Sequence, residues 1–86
     1  MKANSAPKAY RIKANTVDLV YHELGKRIVA QRQKQGMSQE LLATRSEIDR
    51  SHMGFIEQGR RKPTITTLFK ITTSLGISLE QLFKGL

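Results

Sequence analysis

MSQELLATRSEIDRSHMGFIEQGRRKPT, residues Met37 to Thr64, reads as a short helix, a tight turn, a second short helix and a basic loop. Ser38 suits the N-cap of a helix from about Gln39 to Ser46, and Asp49 the N-cap of one from about Arg50 to Gln58, closed by Gly59. Leu42 and Ala43 are expected to face inward. Two helices crossing steeply need a small residue at the contact, and Ala43 supplies it. The turn calls for a residue in the left-handed region, where glycine is usual. Glu47 stands at that position, at a cost on the order of 1 kcal/mol, unless the turn has another backbone shape. Ile48, Met53 and Ile56 bracket a polar face that carries Arg50, Ser51 and Gly54.

Outward from this stretch the pattern stays helical. Thr16 is a good N-cap and Asp18 suits a first turn. Val17, Val20, Tyr21, Leu24 and Ile28 then recur at the spacing of one helix face, with Lys26, Arg27 and Lys34 opposite and Gly36 as the stop. Pro63 and Thr64 open a fourth helix with Ile65, Leu68, Ile71 and Leu75 as its buried stripe and Gly76 as its end. Ser78 and Gln81 form a capping-box pair for a last short helix holding Leu79, Leu82 and Phe83. No alternating run argues for a strand. The expected fold is all-α, five helices in one compact domain over residues 16–86, preceded by a flexible basic arm over residues 1–15. That arm carries Lys2, Lys8, Arg11 and Lys13 without an acid; it either tracks a phosphate backbone or is an ordinary frayed terminus.

Composition narrows the function. The chain has 86 residues and a formal net charge of +8, from 15 Lys and Arg against 7 Asp and Glu. Such a balance points to a polyanion partner, nucleic acid being the commonest. No apolar run approaches the ~20 residues of a spanning helix, and no signal-peptide core follows Lys2 and Lys8, so a cytoplasmic protein is expected, with no membrane partner. There are no cysteines, hence no disulfide framework and no thiolate metal site; neither metal nor cofactor is expected. His22 and His52 have no evident carboxylate partner at catalytic spacing, and no glycine-rich phosphate loop is present, so an enzyme is not expected.

Four pieces in this order resemble the Cro/phage-repressor (XRE) type of helix-turn-helix domain: LGKRI at Leu24 to Ile28, SQELLA at Ser38 to Ala43, FIEQGRRKPT at Phe55 to Thr64 and LGISLEQLF at Leu75 to Phe83. IDRS, Ile48 to Ser51, further resembles the controller proteins of restriction-modification systems. Glu47 at the usual glycine and Gly54 where a polar side chain is commoner depart from the pattern. The resemblance implies a compact five-helix lambda-repressor-like domain and a transcription regulator bound to double-stranded DNA. By the same resemblance Gln39 bonds a phosphate, and Arg32 and Glu57 form an ion pair linking the first helix to the end of the third.

Residue roles follow from that geometry. Residues at the N-terminal end of the third helix reach base edges. Arg50 either bonds guanine O6 and N7 or meets a phosphate or solvent; Ser51 serves a base or a phosphate. Phe55, a turn later, packs on a thymine methyl or belongs to the core, and Gly54 lets a base or backbone approach closely. Thr44, Arg45 and His52 are candidate phosphate contacts, and Arg60, Arg61 and Lys62 a phosphate clamp. Leu79, Leu82, Phe83 and Leu86 are more apolar bulk than one short helix buries alone, so they are expected at a homodimer interface or else complete the monomer core. No separate ligand or dimerisation domain is expected. A dimer on a palindromic operator would act as a repressor by blocking RNA polymerase, or by contacting it. The alternative is a protein-interaction module or antitoxin on the same helical fold.

Overall fold

The computed structural model describes residues 14–86; the expected arm lies, up to residue 13, outside the described residues. Five helices follow one another: α1 Ala14–Lys34, α2 Gln39–Arg45, α3 Arg50–Glu57, α4 Ile65–Leu75 and α5 Leu79–Phe83. Among the described residues there is no strand, and no helix is long and apolar enough to cross a membrane. The fold is all-α, as the periodicities require.

Local chemistry sets the boundaries. Ser38, Asp49, Thr64 and Ser78 each accept a backbone N–H of the helix they precede, and Ser78 with Gln81 closes a reciprocal box. The start of α1 is a correction. The helix begins at Ala14, ahead of Thr16, so Thr16 is not its cap and Asp18 does not lie in its first turn. α2 and α3 each end one residue short of the expected limit, with Ser46 and Gln58 as C-caps.

One core joins all five helices. Leu24 and Ile28 of α1, Leu42 and Ala43 of α2, Met53 and Ile56 of α3, Leu68, Ile71 and Leu75 of α4 and Leu82 of α5 are all buried, with Met37 from the α1–α2 loop. α3 packs between α1 and α2; α2 also meets α4, and α5 closes on α1 and α4. Two buried hydroxyls find partners inside: Ser46 donates to Ser74 Oγ at 3.0 Å, and Thr72 to the Phe69 carbonyl at 3.1 Å.

Three sequence expectations fail at the edges of this core, the first at Ile65, expected in the buried stripe of α4 but 64 % exposed as the first residue of that helix. Val17 and Val20 continue the α1 stripe but stand 38 % and 37 % exposed, because they border an open groove with Pro63, Ile65 and Phe83 rather than the closed core. Arg27 does not sit on a solvated face. It is half-buried and donates to the Leu82 carbonyl at 2.9 Å and to that of Lys84, serving carbonyls that α5 leaves open at its C-terminal end.

Candidate nucleic-acid interface

α2, the turn and α3 form the centre of the site. The turn residue Glu47 lies at φ 56°, in the left-handed region. The Ile48 N–H reaches back to the Ala43 carbonyl at 2.9 Å, so α2 ends in the same bonded loop that ends α3, where the Arg60 N–H donates to the Phe55 carbonyl at 2.8 Å. Glu47 bears the steric penalty of that conformation with its side chain in solvent. Ala43 is buried at the α2–α3 crossing.

The rear of α3 is fixed by more than apolar contact. Glu57 receives a two-pronged Arg32 guanidinium, Nε to Oε2 at 2.8 Å and Nη2 to Oε1 at 3.0 Å. Arg32 also donates to the Met37 carbonyl at 3.0 Å. The pair is largely removed from water, at 13 % and 4 % side-chain exposure. Burial makes either partner costly to strand alone. Gly25 makes this contact possible. A Cβ there would fall 2.7 Å from the Ile56 carbonyl oxygen and against that of Glu57, so α1 meets the α3 backbone directly. Sequence reasoning missed this role, although the glycine stands inside the LGKRI piece.

The front of α3 is open. Arg50 and Ser51 are exposed, and His52 and Phe55 are half-buried. Phe55 is absent from the core, which settles one of its two expected roles. Its ring instead carries two guanidinium groups, with the Cζ atoms of Arg60 and Arg61 each 5.3 Å from its centroid. Lys62 points elsewhere: its Nζ lies 3.5 Å from Asp18 and 5.9 Å from the Tyr21 ring centroid, on α1. Thr44 and Arg45 are exposed near the turn, and Arg45 approaches Met37 Sδ at 3.9 Å.

Gly54 and Gln39 depart from their expected surroundings. The space above Gly54 is not open to a base or a backbone. The Gln39 amide fills it, with Oε1 3.5 Å from where a Cβ would stand. Gln39 is itself held, its Nε2 donating to Glu57 Oε1 at 2.9 Å. Leu82 is a further correction. At 2 % exposure it belongs to the core of the chain itself, since α5 must turn that side chain inward to close on α1 and α4. Leu79 and Phe83 are half-buried and Leu86 is 43 % exposed.

Residues 28–82 match the helix-turn-helix family HTH_3. The chain belongs to this helix-turn-helix family. Control protein C.MunI of a Mycoplasma species is 36% identical over 55 residues, which cover 64% of this chain and 74% of that protein. An uncharacterised HTH-type transcriptional regulator of Sinorhizobium fredii, y4dJ, is 33% identical over 55 residues, covering 64% of this chain and 71% of its own length. Among solved structures, the restriction-modification controller protein C.AhdI from Aeromonas hydrophila aligns with a TM-score of 0.72 at 36% identity, covering 73% of this chain and 96% of that one. As a member of the helix-turn-helix family, the protein is a DNA-binding transcription regulator of XRE type, similar to restriction-modification controller proteins, and not an enzyme.

Proposed function

We propose that this regulator binds a palindromic operator as a homodimer, with α3 of each protomer in successive major grooves about 34–36 Å apart. The observation that carries this reading is the asymmetry of α3. Its rear is pinned by the buried Arg32–Glu57 pair, while Arg50 and Ser51 at its N-terminal end stand free in solvent. Arg50 reads a guanine through O6 and N7, and Ser51 supports it on a base or the adjacent phosphate.

Phosphate contacts come from the flanks. Arg60 and Arg61, gathered on the Phe55 ring, form one clamp, so Phe55 acts by holding cations rather than by meeting a thymine. Lys62 joins them by leaving Asp18, an exposed pairing of little strength. Thr44, Arg45 and His52 complete the set.

Phe83 and Leu86, with the outer side of Leu79, supply part of the dimer surface. They do not supply enough, because a stable interface takes about 800 Å² from each partner. Phe83 also lines an apolar groove of about 470 Å³ with Val17, Val20, Tyr21, Pro63 and Ile65. Including that groove gives a two-fold contact the missing apolar area. The dimer works in the cytoplasm by blocking or contacting RNA polymerase at the operator.

Titration of a cognate duplex at two salt concentrations, with sedimentation to fix stoichiometry, tests this. Two protomers per duplex and a steep fall of affinity with salt are expected, because several cations displace counterions. Weak binding with a flat salt response would overturn the proposal and leave a module that holds a protein partner.

A further inference from the structure

We infer that Gln39, contributed by α2, reads an adenine, presenting to the major groove the polar edge that α3 lacks at Gly54. The inference rests on the proposed insertion of α3 into that groove. It starts from the Glu57 carboxylate, which accepts hydrogen bonds and cannot donate. Oε2 is taken by Arg32 Nε, and Oε1 by Arg32 Nη2 and Gln39 Nε2. The Gln39 amide must therefore turn its nitrogen toward Glu57, since the flipped amide would set its oxygen against a carboxylate. That fixes what remains on offer: the amide oxygen and the second hydrogen on Nε2.

The same amide lies over Gly54. Oε1, Nε2 and Cδ stand 3.5, 3.7 and 3.8 Å from the Cβ position of residue 54, ordinary contact distances. It occupies the space into which a side chain at 54 would extend. Gly54 is one helical turn from both Arg50 and Ser51, the exposed residues of the α3 edge. Gln39 thus stands in for the residue-54 side chain at that level of the helix.

An acceptor beside a donor complements adenine, whose N6 donates and whose N7 accepts. Guanine offers two acceptors there and opposes the amide oxygen. A phosphate, the partner that the family resemblance assigns to Gln39, would use the N–H alone and leave the oriented oxygen without a partner.

Selection of bound duplexes from a random pool by the full chain, with Gln39→Ala and Gly54→Leu alongside, tests the inference. Wild type should enrich a half-site with one position where adenine outcompetes guanine by about tenfold. Gln39→Ala should lose that preference and keep the others. Gly54→Leu, which retains Gln39 but fills its place, should lose the same position. Thermal melts and a duplex carrying guanine at that position keep the outcome readable if either variant is less stable. If Gln39→Ala weakens every sequence alike, or both variants enrich the wild-type half-site, the inference is overturned. If wild type enriches no half-site, the failure is instead that of α3 as a reading helix.

Discussion

The two long edges of α3 do opposite work. On the inner edge Met53, Ile56 and Glu57 are buried, the last in a bidentate pair with Arg32. On the outer edge Arg50 and Ser51 touch mainly water. An eight-residue helix is too short to persist alone, so its direction comes wholly from the inner edge. The outer edge is then free of folding duties, and its residues can be chosen for what they meet. Changes on the inner edge should be read in stability, and changes on the outer edge in DNA affinity.

The sharpest way to break that division is at the ion pair. Glu57→Ala should cost about 3–5 kcal/mol in denaturant melts, because it strands the Arg32 guanidinium in a largely dry site. A loss under about 1 kcal/mol would mean that the pair is effectively solvated. Gly25→Ala should follow with about 1–3 kcal/mol, since its methyl group meets backbone that cannot move aside. Arg50→Ala should leave the melting curve unchanged and weaken operator binding by about 1–3 kcal/mol, with relaxed specificity at one base pair. Arg61→Ala should weaken operator and random duplexes alike, with a salt slope shallower by about one. If the two arginine variants lose affinity equally for every sequence, the outer edge has no reader. The smallest effect is expected at the turn. Glu47→Gly relieves left-handed strain but adds freedom to the unfolded chain, a net gain of at most about 1 kcal/mol in thermal melts.

The fold was legible because four of the five helices announce themselves twice, by an N-cap oxygen and by the spacing of their apolar residues, while α1 shows the spacing alone. Ser38, Asp49, Thr64 and Ser78 all cap as their side chains require. Even the exceptional turn was placed correctly, since Glu47 is the residue left between two well-marked helices. What was not legible depends on which atoms meet in space. Nothing local distinguishes Gly25, at a crossing with no room for a methyl group, from Gly54, where a methyl group fits. Leu82 and Phe83 are neighbours with the same apolar character, yet one turns inward and the other toward the groove. Arg27 looks like any surface cation until α5 is seen to end beside it. The candidate site was legible in its cations and not in their company: the Phe55 ring gathers Arg60 and Arg61, while Asp18 draws Lys62 aside.

Arg27 joins the middle of the longest helix to the end of the shortest. Its guanidinium bonds two terminal carbonyls that would otherwise turn to solvent. With only five residues, α5 has little cohesion of its own and depends on this tether and on Leu82. Its amide protons should therefore exchange with solvent in step with those around Arg27, as one cooperative opening unit rather than a fraying tail.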